Sequence, residues 1–117
     1  MVTQITVNDM NMSTSVQSQA NAGTAGGTMY YINLGGLKML WCTGANVATS
    51  VTPTAYVFTL PTGFFTTIQS ADASAINPAT SLAQYANVAS LNTTTITCNV
   101  TSSLTGTSGI NIMIIGI

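Results

Sequence analysis

Leu34-Gly35-Gly36-Leu37-Lys38-Met39-Leu40-Trp41-Cys42-Thr43-Gly44 holds the only tryptophan and the only basic residue of the chain. It reads as a strand bounded by glycines. Gly35-Gly36 supplies a turn, Leu37 to Cys42 is apolar and aromatic at strand length, and Gly44 closes the run. Alternation puts Leu37, Met39 and Trp41 on one face and Lys38, Leu40 and Cys42 on the other. Both faces are largely apolar, so the strand belongs deep in a sheet or between packed sheets, with Trp41 expected in the core.

Working outward, Met29-Tyr30-Tyr31-Ile32-Asn33 is a second short run of β-formers and predicts a hairpin through Gly35-Gly36. The chain then relaxes over Ala45 to Ser50 and rises again as Tyr56-Val57-Phe58-Thr59-Leu60. Pro61-Thr62-Gly63 punctuates it, and Phe64 to Ser70 reads as the next strand. Asp72 to Thr80 is a long polar interval in which Asn77-Pro78 can start a helical turn. The competing reading, favoured by cleaner alternation, is a hairpin of Gln84 to Leu91 with Thr95 to Val100, turning at Asn92-Thr93. Ser102 to Gly109 reads as a loop, and Ile110 to Ile117 as a final strand apolar on nearly both faces.

Before Met29 the sequence changes character. Thr3 to Asn8 alternates as a short strand does, but Ser13 to Thr28 is Ser, Gln, Ala, Asn, Thr and Gly, with Val16 its only large aliphatic residue. Too little apolar surface is present there to build a core. Residues 1–27 are therefore expected to be a polar linker or an extended shaft, and residues 28–117 the folded domain.

Charge is the anomaly. Charged residues make up 3% of the 117 residues, against about 25% in ordinary domains. Lys38, Asp9 and Asp72 are the whole set, with no Arg, Glu or His. One Lys gives no footprint for a phosphate backbone, which argues against nucleic acid. No apolar run approaches the ~20 residues of a spanning helix, and Met1-Val2-Thr3-Gln4 shows neither the basic region nor the apolar region of a secretory leader. A nearly neutral surface protects poorly against association, so an oligomer is expected.

Chemistry is almost absent. General acid/base work needs two titratable groups near each other, and the chain offers two Asp far apart. A Ser or Cys nucleophile has no His partner, a zinc site would have at most two Cys, and no glycine loop carries a Lys. No enzyme activity, cofactor or metal is expected. Cys42 and Cys98 are either bridged across adjacent strands or, the favoured reading without a leader, small buried hydrophobes with free thiols. Lys38 either snorkels from the sheet edge or pairs with an Asp.

The order of the segments resembles a family. Gly36-Leu37-Lys38-Met39-Leu40-Trp41-Cys42-Thr43-Gly44, then Tyr56 to Pro61, then Asn92 to Thr97, and finally Ile112-Met113-Ile114-Ile115-Gly116 are similar to the C-terminal tip domains of phage tail fibres. Those run from a Gly-Leu…Trp-Gly strand through a Phe-Pro turn and a Thr-rich hairpin to a hydrophobic-Ile-Gly ending. The likeness covers Met29 to Ile117. It implies an all-β, antiparallel β-sandwich tip domain that assembles as a homotrimer on the remainder of a fibre shaft. It also implies a virion protein assembled in the host cytoplasm, whose task is non-enzymatic attachment to a host cell.

The expected receptor is a surface polysaccharide, with an outer-membrane protein as the alternative. Other readings are a purely structural trimerising or capping piece of a virion or tailocin fibre, and a free-standing sugar-binding lectin. Binding is expected on the loop intervals Ala45 to Ser50, Asp72 to Gln84 and Ser102 to Gly109, with Asn46, Asp72, Asn77, Gln84, Tyr85 and Asn87 as the candidate residues. Asp72 and the amides suit hydroxyl hydrogen bonds, and Tyr85 suits stacking on a sugar face.

Overall fold

Alternating runs of β-branched and aromatic residues, separated by glycine and asparagine turns, fold as eight antiparallel strands among the described residues. The computed structural model describes residues 16–76, 84–103 and 105–117, with the backbone alone for residues 43–46. The strands are β1 (Gln17–Ala20), β2 (Thr28–Leu34), β3 (Leu37–Thr49), β4 (Thr54–Thr59), β5 (Ile68–Ile76), β6 (Gln84–Leu91), β7 (Thr95–Ser102) and β8 (Gly106–Gly116). They form a five-stranded sheet, β1-β2-β3-β8-β5, and a three-stranded sheet, β4-β7-β6. The core lies between them. Met29, Leu40, Cys42, Ile110, Ile112 and Ile114 face it from the larger sheet, and Phe58, Ile96, Cys98 and Val100 from the smaller, all buried. This is the expected all-β sandwich.

The β2–β3 hairpin forms as its turn chemistry dictates. Gly35 and Gly36 have φ of 69° and 103°, the pair of positive values that a two-residue type I′ turn requires, and Asn33 Oδ1 accepts from Gly36 N at 3.0 Å. The β6–β7 hairpin is closed by Asn92, whose Oδ1 accepts from the backbone of Thr94 and Thr95 at 2.8 and 2.9 Å. A third closure ties the end of the sequence down. Thr66 N and Thr67 N donate to the Ile117 carbonyl, and Ile117 N donates back to Thr67 O.

Three expectations are corrected. Alternation gives the two faces of β3 but not which is inner, and the Leu40/Cys42 face is the buried one, both at 0% exposure. Trp41 consequently points away from the core and is only half-buried. Ala45 to Thr49 continues β3 instead of looping out, because Thr43-Gly44 is absorbed as an irregularity between Cys42 and Ala45 and pairing with β8 resumes. The strand expected from Phe64 is β5, and it begins at Ile68. Phe64 and Phe65 instead make a loop that plugs the sandwich edge, edge to face with each other at 4.7 Å and with Tyr31 at 4.9 Å from Phe64.

The polar N-terminal interval is also more structured than its composition suggests. From Gln17 it pairs with β2, and Ala25 enters the core at 3% exposure. Asn21 holds the connection in place: its Nδ2 donates to Gly26 O at 2.8 Å, and its Oδ1 accepts from Gly23 N and Thr59 N. One buried amide thus replaces the missing apolar surface as the fastening. The short strand expected at Thr3 to Asn8 and the helical turn at Asn77-Pro78 lie outside the described residues.

Cys42 and Cys98 are free and buried, and desolvation pushes both thiols from 9.0 up to about 11. The fold therefore favours the neutral thiol. Its contribution is fully present below the unfolded value near 9 and is lost as pH rises through about 11. Alkylation is expected to reach neither thiol in the native protein and both after denaturation, read by mass spectrometry. The fall in unfolding free energy above pH 9 should be shallower in a Cys42→Ala, Cys98→Ala variant.

Candidate functional site

Burial of the Leu40/Cys42 face leaves the opposite face of the larger sheet uncovered by the described residues, and its composition is unusual for a solvated face. The register lines up Tyr30, Trp41, Met113 and Asp72 across β2, β3, β8 and β5 in one row, and Ile32, Met39, Ile115 and Ser70 in the next. Leu34 and Leu37 complete the face beside the hairpin turn. Leu37 and Met113 are 44% and 49% exposed. Apolar side chains in contiguous rows mark an interaction surface rather than scattered surface hydrophobes.

At its β8–β5 side this face becomes a groove of about 250 Å³, lined by Trp41, Asp72, Ser74, Asn111, Ile112 and Met113. Each lining residue is placed by strand register. Asp72 lies opposite Met113 and Ser74 opposite Asn111, so β5 presents a carboxylate and a hydroxyl two residues apart on one face. Trp41 stands beside Met113 from the other side. Its ring is stacked on Tyr30, with centroids 6.1 Å apart and planes 23° apart, which fixes the orientation of the indole. Asn111 Oδ1 is shielded from solvent and accepts no hydrogen bond from the described residues. The groove therefore combines a held aromatic ring, a carboxylate, a hydroxyl and an unsatisfied amide oxygen.

A second hollow, lined by Thr66, Thr67, Ile68, Leu91, Asn92 and Thr93, has less to offer. Its amide oxygen on Asn92 is already committed to the hairpin turn. Lys38, the sole cation of the chain, is also engaged: its Nζ lies 5.6 Å from the Phe64 ring centroid, a cation–π contact at the sandwich edge.

The six candidates from the sequence do not converge. Asp72 lies on β5 and lines the groove. Gln84, Tyr85 and Asn87 lie on β6, in the other sheet. Tyr85 is 60% exposed, and Gln84 Nε2 donates to Thr107 O at 3.4 Å. Asn46 lies on β3 with its side chain undescribed, and Asn77 lies outside the described residues. Five of the six are thus strand positions, of which Asp72, Tyr85 and Asn87 are exposed. Reasoning from the sequence missed Trp41, Ser74 and Asn111. Trp41 was placed inward because both faces of its strand are apolar, a pattern that does not say which face is covered.

Among the described residues no group of His, Cys, Asp and Glu is placed to hold a metal ion, and no helix is long and apolar enough to cross a membrane. No protein-family model matches the chain, and no curated protein matches it. Among solved structures it is similar to an N-truncated R1-type pyocin tail fibre, with a TM-score of 0.59, 19% identity, and coverage of 99% of this chain and 100% of that one. The fold is shared with that tail fibre over essentially the whole chain.

The outward placement of Trp41 has a measurable consequence. In urea unfolding, Phe58→Ala, which empties a fully buried site, should cost about 3–5 kcal/mol. Trp41→Ala should cost about 1–2 kcal/mol, since its ring lies on the outer face, only partly buried, and no sealed cavity is left.

Proposed function

We propose that the chain is the receptor-binding end of a phage or tailocin tail fibre, acting as a homotrimer that attaches to a host-cell surface polysaccharide without a catalytic step. One observation carries the reading most: a fold shared with a tail fibre presents an uncovered sheet face whose margin is a groove with an aromatic ring and hydroxyl-binding groups. Aromatic faces and short polar side chains are what a sugar ring and its hydroxyls need. The absence of His and the scarcity of acids support binding without turnover.

Trimerisation is supported by the other half of the same face. Ile32, Leu34, Leu37, Met39 and Ile115 form its apolar part on β2, β3 and β8. Copies of the chain packed there would bury that surface and leave the β5 side open. With one Lys and two Asp in the sequence, no repulsive field opposes such packing. Three weak sites on one axis then gain avidity on a repeated glycan. The remainder of the fibre shaft is the third partner, and the virion or tailocin particle the place of work.

Light scattering is expected to give three times the chain mass at micromolar concentration, and Met39→Asp to give a monomer with unchanged β-sheet circular dichroism. The trimer should adhere to host cells and lose adhesion when surface polysaccharide is stripped enzymatically or genetically. Undiminished adhesion to stripped cells points to an outer-membrane protein, and no adhesion to any strain to a purely structural trimerising piece.

A further inference from the structure

We infer that the Trp41/Asp72 groove is a subsite for a single neutral or amino-bearing sugar ring, and that it rejects acidic sugars. The inference rests on the receptor-binding reading above and specifies the ligand class. Size gives the first limit. At about 250 Å³ the groove exceeds the ~150 Å³ that holds a benzene ring and falls short of the ~300–1,000 Å³ of sites for larger ligands. One six-membered ring is accommodated, and the rest of a polysaccharide must run over the surface.

Position gives the second. Trp41, Met113 and Asp72 are consecutive register partners across β3, β8 and β5, so the indole and the carboxylate stand about two strand spacings apart, ~9.5 Å between backbones. A ring resting over Met113 meets the apolar indole on one side and a hydrogen-bond acceptor on the other. The indole is already held by Tyr30, so little side-chain freedom is lost on binding.

The donor and acceptor inventory gives the third. The Asp72 carboxylate only accepts, and Asn111 Oδ1, shielded from solvent at the groove wall, is an acceptor with no partner among the described residues. The groove therefore demands donors, which sugar hydroxyls, acetamido N–H groups and ammonium groups supply. A uronate or sialate would set a second carboxylate beside Asp72. The chain's sole cation, Lys38, is held over Phe64 on the core-facing side of the sheet, paired in register with Gly116. Nothing on the protein neutralises an acidic ligand, and like charges in a partly dry groove repel.

The test uses the intact protein and two readouts. A printed array carrying neutral, amino and uronic or sialic bacterial saccharides is probed first. The strongest binder is then titrated while Trp41 emission, the only tryptophan signal in the chain, is followed. Binders are expected to be neutral or amino sugars. Emission should shift saturably, and Asp72→Asn should weaken binding by about 10-fold or more, as loss of a charge-assisted hydrogen bond implies. Tyr85→Ala, on the other sheet, should bind as wild type, with circular dichroism confirming the fold of both variants.

Binders that are all acidic overturn the inference, as does a titration that leaves Trp41 emission unmoved. Loss of binding in Tyr85→Ala but not in Asp72→Asn places the sugar elsewhere and also overturns it. An array without any binder, from protein that still adheres to host cells through their polysaccharide, removes the subsite and leaves the receptor reading standing. Protein that adheres to no cell removes the receptor reading itself.

Discussion

The pairing of β8 between β3 and β5 is the constraint on which the rest of the molecule depends. Ile110, Ile112 and Ile114 fill the middle of the core from this strand, while Asn111 and Met113, alternating with them, floor the groove on the other side. One strand thus sets both the hydrophobic interior and the candidate binding surface. A register slip of one residue would exchange the two sets, placing Asn111 and Met113 inside. Gly116 sharpens the register further. A Cβ there would stand 2.3 Å from Thr67 O and 2.8 Å from Phe65 Cδ1, so only glycine lets the Phe65 loop close on the end of β8.

Much of the fold was legible because local signals agreed with the global pattern. Gly35-Gly36 and Asn92 are turn residues with a specific mechanism, and the runs beside them alternate cleanly, so both hairpins could be read directly. The readings that failed are those where two physical outcomes shared one pattern. Leu37 to Cys42 is apolar on both faces, and the sequence of that segment alone cannot say which face is inner. The answer resides in β8, some seventy residues away. Thr43-Gly44 looked like a stop and is an irregularity within a strand, since Gly serves either purpose. Phe64-Phe65 looked like a strand and is a plug, because aromatic residues satisfy a sandwich edge as well as a sheet.

The site was legible in part for a related reason. Asp72 stood out as one of only three charged residues, and it lines the groove. Ser74 and Asn111 did not stand out among so many Ser and Asn residues, and only the β5–β8 register brings them together. Composition identifies the kind of surface this chain presents, neutral and rich in short polar groups. It does not identify which of those groups meet.

The position of β8 also bears on how the chain reaches its fold. It is the last of the eight strands in sequence order, yet it is central to the larger sheet, with β1-β2-β3 on one side and β5 alone on the other. During synthesis the β2–β3 hairpin and the β4-β7-β6 sheet can form as each is completed, but β5 has no sheet neighbour until β8 arrives. For that interval the buried edges of β3 and β5 are open templates for any other strand, including those of a second chain growing nearby. Completion of the larger sheet in this molecule therefore waits on a single late step, the insertion of one isoleucine-rich strand.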